Sequence, residues 1–125
     1  MMIRILLVEN QVSAREAVRD LLSGVLGFEV VGEASTGQEA VRLTEDLLPD
    51  VVVMDLSLPG WNGIETTRRI HLAFPDVSVV GLSLYSDPRI QEEMARAGAS
   101  AFVLKELAFE ELPGAVRRVA AHHRA

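Results

Sequence analysis

The chain is predicted to be α/β: a single doubly wound, five-stranded parallel sheet of flavodoxin-like order 2-1-3-4-5, with helices on both faces. Three observations predict it. Short apolar runs rich in β-branched residues alternate five times with segments whose apolar residues recur every three or four positions. The connections between them are short, as in repeated βα units with right-handed crossovers. Four of the runs also end in a polar side chain, namely Glu9, Asp55, Ser83 and Lys105. A parallel sheet gathers such strand ends at its carboxyl edge, where open α/β sheets hold their chemistry. Composition alone does not supply the strand order; 2-1-3-4-5 is the arrangement most compatible with five units and a polar edge of this kind.

Ile3 to Val8 is nearly continuous apolar sequence, the pattern of a strand buried on both faces. Ala14, Ala17, Val18, Leu21, Leu22 and Val25 then mark one stripe of a helix, for which Gly27 is the expected stop. Phe28 to Ala34 alternates apolar residues with Glu29 and Glu33, as a more exposed edge strand does. Gly37 opens a helix with Ala40, Val41, Thr44, Leu47 and Leu48 on one face, broken by Pro49-Asp50. The strand Val51 to Met54 leads into a turn-rich loop, Leu56 to Gly63. The next helix carries Ile64, Thr67, Ile70 and Phe74 and ends before Pro75. Strand Val77 to Leu82 passes through the cap Ser86-Asp87-Pro88 into a helix with a thin apolar face (Ile90, Met94, Ala97), stopped by Gly98 and expected to be the most mobile of the five. Strand Ala101 to Leu104 precedes a last helix with Leu112, Val116 and Val119 on one side, in which Pro113 is expected in the first turn.

With 125 residues and 49% hydrophobic content, the whole chain, 1–125, is one domain with a single core. A net charge of −6 offers no basic surface for nucleic acid, so DNA contact is expected only through a separate domain. The absence of cysteine excludes disulfides, thiolate metal sites and cysteine nucleophiles. No apolar run approaches a membrane span or a signal-peptide core, and the expected location is the cytoplasm. His71, His122 and His123 share no metal-ligand spacing and are expected on the surface, as are Arg117-Arg118 and Arg124. Lys105 is the single lysine beside eleven arginines, so one ammonium accompanies the carboxylates of the sheet edge.

The stretch Pro49 to Gly63, with Asp55 at its strand end, resembles the phosphoacceptor segment of response-regulator receiver domains. Together with Val31-Gly32-Glu33-Ala34, Ala97-Gly98-Ala99 and Phe102-Val103-Leu104-Lys105, it resembles most the receivers of NarL/LuxR-type transcriptional regulators. The resemblance covers essentially the whole chain, and its strength is the joint spacing of aspartate, hydroxyl residue and lysine. It implies that Asp55 accepts a phosphoryl group, that Lys105 pairs with Asp55 at rest and binds a phosphoryl oxygen afterwards, that Ser83 donates to another oxygen, and that Phe102 is an aromatic switch. It further implies a Mg²⁺ ion held by Asp55, the Ser57 backbone carbonyl and the two positions after the first strand, which are acids in the family and are Glu9 and Asn10 here. The implied partners are a sensor histidine kinase, a second copy in a homodimer, and DNA by way of a C-terminal domain outside these residues.

One departure bears on function. The family carries two adjacent acids after the first strand, whereas this chain has Glu9-Asn10. The site is one negative charge short. A full charge about 4 Å from an ion is worth roughly 4 kcal/mol at an effective dielectric near 20, before desolvation. The expectation is weak Mg²⁺ binding and slow or absent phosphorylation. A second reading therefore stays open, a receiver-shaped module that binds a partner or dimerises irrespective of phosphorylation.

Enzyme alternatives fit less well. An FMN carrier needs a glycine- and hydroxyl-rich phosphate loop after the first strand, but Glu9 to Ala14 has no glycine and begins with an acid. A haloacid-dehalogenase-like phosphohydrolase needs a second acid two residues beyond its nucleophile, where Ser57 stands. The chain is expected to take up a phosphoryl group at most, without turnover.

Overall fold

A computed structural model describes the backbone of residues 2–124 and the side chains of residues 2–121. Five strands, β1 (Ile3–Val8), β2 (Phe28–Ala34), β3 (Val51–Asp55), β4 (Ser78–Ser83) and β5 (Ala101–Leu104), alternate with α1 (Val12–Ser23), α2 (Gly37–Leu47), α3 (Gly63–Ala73), α4 (Pro88–Ala97) and α5 (Ala108–Arg124). The sheet is parallel throughout, in the order β2-β1-β3-β4-β5. This is the predicted flavodoxin-like fold.

Strand alternation divides the core in two. Ile5, Leu7, Val51, Val53, Val80, Leu82 and Val103 face the layer of α1 and α5, where Leu22, Leu112, Ala115 and Val116 close over them. Leu6, Val8, Val52, Met54 and Val79 face the opposite layer, with Ala40 of α2 and Ile70 of α3. Because successive side chains point to opposite faces, whatever follows the strands inherits a side. Glu9, Asp55 and Lys105 continue the parity of Leu7, Val53 and Val103, whereas Ser83 continues that of Val79 and Gly81. Register agrees, since Asp55 lies beside Leu82 and Ser83 beside Leu104.

Helix ends follow local chemistry. Thr36 and Asn62 accept from the amides of Glu39 and Glu65 at the starts of α2 and α3, and Asp87 accepts from Arg89 with Pro88 in the first turn of α4. Gly98 ends α4 at φ 116°. Strands β3 and β4 each run one residue further than expected, to Asp55 and Ser83, and Leu48 and Phe74 cap α2 and α3 from just beyond them. Two further helix boundaries differ from expectation. Helix α1 stops at Ser23 with Gly24 as its cap, so Val25 lies beyond the helix; Gly27, at φ 92°, instead turns the chain into β2. Pro113 lies inside α5 rather than in its first turn, because a 3₁₀ turn over Lys105–Leu107 lets the helix start early, at Ala108. His71, Arg117 and Arg118 are exposed as expected, whereas the side chains of His122, His123 and Arg124 lie outside the described residues.

Candidate functional site

The carboxyl edge of the sheet is fixed by its polar strand ends. Glu9 leaves β1 with its amide still in the ladder, donating to the Ala34 carbonyl at 3.0 Å. Asp55 is the last residue of β3. The loop after it folds tightly back: the Leu56 amide donates to the Leu82 carbonyl (3.1 Å), the Gly63 amide to the Leu56 carbonyl (3.0 Å), and the Ser57 amide to Asp55 Oδ1 (3.2 Å). Gly63 is required there, because a Cβ would collide with the Asp55 carbonyl and the Leu56 backbone. Lys105 enters from the turn after β5 and bridges the two acids, its Nζ 2.8 Å from Glu9 Oε1 and 3.1 Å from Asp55 Oδ1.

Both carboxylates are nearly sealed from solvent, at 2% exposure each, so their charges depend on these partners. Burial alone would raise Glu9. The hydrogen bond from Lys105, the contact with Asp55 and the Gln11 amide, 3.1 Å from Glu9 Oε2, together outweigh it and hold Glu9 below the ordinary carboxylate range. Asp55 is pushed up to about 6, first by burial and then by the neighbouring Glu9, which Lys105 only partly offsets. Burial acts to lower Lys105, but its bonds to Glu9 and Asp55 prevail and raise it. The resting arrangement is one ammonium clasping two carboxylates, with Glu9 the more firmly ionised.

The remaining predicted residues stand further from this clasp. Ser83 is buried, and its hydroxyl bonds with its own loop, donating to the Tyr85 carbonyl (3.2 Å) and accepting from the Tyr85 amide (3.1 Å). Asn10 is exposed, and its side chain makes no hydrogen bond among the described residues. Ser57 is exposed. Phe102 is half-buried in β5 opposite Gly81, and with Glu110, Glu111, Gly114 and Arg118 it lines a groove toward α5. Sequence reading missed Arg15 of α1, whose guanidinium donates to the Glu9 backbone carbonyl at 3.1 Å and to Glu33 at 3.2 Å. The signal was present in the basic residue early in α1 and the acid near the end of the edge strand. Only the tertiary path of the side chain joins them.

The profile of the family described as "Response regulator receiver domain" matches residues 5–117. Among curated proteins the chain is 33% identical over 123 residues to the response regulator GacA of Pseudomonas aeruginosa, covering 98% of this chain and 58% of that protein. It is 36% identical over 118 residues to the response regulator UvrY of Escherichia coli, covering 94% and 54% respectively. The chain thus spans a little over half the length of these curated relatives. The crystal structure of a LuxR-family two-component response regulator from Aurantimonas superposes with a TM-score of 0.94 at 35% identity, covering 98% of this chain and 87% of that one. The chain belongs to the response regulator receiver domains, the signal-receiving and non-enzymatic modules of two-component regulators, and is homologous to transcription regulators of the GacA, UvrY and LuxR type.

Proposed function

We propose that Asp55 accepts a phosphoryl group and thereby biases an exchange between two surface conformations of the domain. The observation that carries this reading is Lys105 Nζ lying within 3.1 Å of Asp55 Oδ1 while also bonded to Glu9. A carboxylate approaching a phosphorus centre must overcome the repulsion of the phosphoryl oxygens, and a fixed cation beside it lowers that barrier. One Asp55 oxygen forms the bond to phosphorus as phosphorus loses its bond to the donor's leaving group, which departs with the electron pair. Lys105 then follows the new negative charge, Ser83 leaves Tyr85 to donate to a second phosphoryl oxygen, and Phe102 reorients as the β4–α4 loop moves.

Receiver domains typically bind Mg²⁺. When bound, the ion neutralises charge on the phosphoryl oxygens. Glu9, Asp55 and the Ser57 backbone carbonyl would hold it, with Asn10 contributing an amide oxygen at most. These are hard oxygen donors of the kind Mg²⁺ takes, and two buried carboxylates sharing one ammonium are a suitable pair. Among the described residues, however, no three acidic or histidine side chains converge on one point. Asn10 adds no charge, and Lys105 engages both carboxylates, so the affinity is expected to be weak.

The phosphoryl donor in the cell is a sensor histidine kinase. The output is transcription, exerted through a DNA-binding domain C-terminal to this one, with receiver dimerisation as a route between them. The site of action is the cytoplasm. The exposed Asn10 favours a second reading, in which the domain pairs with its partner without being phosphorylated.

Incubation with acetyl phosphate or beryllofluoride, with and without Mg²⁺, separates the two. Intact mass should show one phosphoryl adduct on wild type at high Mg²⁺, none on Asp55→Asn, and an Asn10→Asp variant labelled at roughly tenfold or more lower Mg²⁺, given what one full charge near the ion is worth. Labelling of Asp55→Asn equal to wild type would overturn the site. Labelling of Asn10→Asp alone would favour the phosphorylation-independent module.

A further inference from the structure

Arg15 is more enclosed than Arg19, the other α1 arginine, whose side chain is 39% exposed. The Arg15 side chain is 22% exposed, and it satisfies two acceptors from different elements at once, the backbone carbonyl of Glu9 and the carboxylate of Glu33 on β2. Arg19, one turn on, reaches only Glu33, at 3.8 Å, and Asp20. Glu9 is consequently held at every polar group it has. Its amide bonds to Ala34, its carbonyl accepts from Arg15, one carboxylate oxygen meets Lys105, and the other meets the Gln11 amide. A short strand-to-helix connection bearing a buried acid has few other ways to be fixed. The side chain of the next residue, Asn10, makes no hydrogen bond among the described residues.

We propose that Arg15 is a positioning residue for the phosphoryl site: with Glu33 as its anchor, it locks the Glu9 carbonyl and so aims the Glu9 carboxylate at Lys105 and the ion-binding edge. The functional part of this inference rests on Asp55 being the acceptor; the geometric part does not. Groups that orient a ligand from behind typically alter metal affinity by about tenfold or more when removed. A planar guanidinium suits this task, because its forked donors reach a carbonyl and a carboxylate together, which a lysine ammonium at the same position cannot do in a fixed geometry.

The test compares Arg15→Ala, Arg15→Lys and Arg19→Ala with wild type by two measurements. The first needs neither metal nor phosphodonor: the amide resonance of Gln11, whose proton lies on Glu9 Oε2, should move toward an unbonded value in Arg15→Ala, move less in Arg15→Lys, and stay in place in Arg19→Ala. The second is a Mg²⁺ titration followed by fluorescence of Trp61, the only tryptophan, which sits in the loop after Asp55. Its midpoint should rise about tenfold in Arg15→Ala and less than twofold in Arg19→Ala. An unmoved Gln11 resonance in Arg15→Ala, or equal shifts in Arg15→Ala and Arg19→Ala, would overturn the proposal. A wild type that neither responds to Mg²⁺ nor takes a phosphoryl group would instead overturn the proposed function, and the Gln11 resonance would still decide the role of Arg15.

Discussion

The two halves of the sheet's carboxyl edge are built differently. On the acid side, residues from three elements are joined to one another: Glu9 after β1, Asp55 at the end of β3 and Lys105 after β5 meet through a single ammonium. On the hydroxyl side, the Ser83 side chain at the end of β4 bonds, among the described residues, only to Tyr85 of the loop that follows, beside the exposed Leu84 and Tyr85. The difference follows from strand parity, since the first three share the α1/α5 face of the sheet and Ser83 emerges on the other. The electrostatic half is therefore organised at rest. Under the proposed function, the hydroxyl half would have to exchange its bonds to Tyr85 for new ones before touching a phosphoryl group, and would then be the half able to report a change.

The largest expected effect comes from breaking the acid side. Lys105→Met removes the one cation compensating two buried carboxylates, and loss of one member of a buried ionic cluster commonly costs about 3 kcal/mol or more. Urea denaturation at pH 8 should show a loss of that order. The deficit should shrink toward pH 5, where Asp55 can take up a proton and relieve the unpaired charge. A variant as stable as wild type at pH 8 would mean that the three groups are adjacent without being coupled.

The next effect sharpens the comparison within the acid side. Asp55 is raised from 3.8 to about 6, so the folded chain binds this proton more tightly than the unfolded chain. Its contribution to stability is full below pH 3.8 and is lost as pH rises through 6. Glu9 is lowered and runs the other way, stabilising above its ordinary 4.5 and losing that contribution as pH falls. Asp55→Asn removes the first dependence and, because Asp55 also helps hold Glu9 down, weakens the second. It should be more stable than wild type by about 2–3 kcal/mol at pH 8, with the gap closing below pH 4, as measured by denaturation across pH. Phosphoryl uptake needs the ionised carboxylate, so initial labelling by acetyl phosphate should rise about tenfold per unit up to pH 6 and level off above it.

Much of this was legible before the coordinates. Five apolar runs, four of them with polar ends, gave the elements that carry Asp55, Ser83 and Lys105, and the strand order followed as the arrangement most compatible with five βα units and a polar edge. What was not legible depends on side-chain paths and local backbone. Lys105 lies nearer to Glu9 than to Asp55, and no spacing rule ranks two acids by tenths of an ångström. Arg15 and Glu33 are 18 residues apart on different elements, so their meeting is a property of packing. The pairing of Ser83 with Tyr85 is local, yet it depends on the turn that follows β4. Glycine pattern also misled at α1, where Gly24 and Gly27 are both credible stops and only the positive φ of Gly27 shows that it serves the turn.

The smallest effect tests the hydroxyl side. Ser83→Ala deletes a hydroxyl that makes two bonds to Tyr85, both short-range and within a loop exposed at its tip. A neutral hydrogen bond contributes about 0.5–1.5 kcal/mol net, and the loop can recover part of this by hydrating the freed Tyr85 amide and carbonyl. The expected stability loss is thus about 1 kcal/mol, without the pH dependence that marks the acid side. Labelling at Asp55 should slow only a few-fold, since Lys105 supplies most of the stabilising charge, while Ser83→Thr should retain the wild-type rate because it keeps the hydroxyl. The decisive quantity is the contrast with Lys105→Met under the same conditions. If Ser83→Ala lost as much stability, or lost it with the same dependence on pH, the hydroxyl would already be wired into the ionic clasp at rest, and β4 could not serve as the responsive half of the edge.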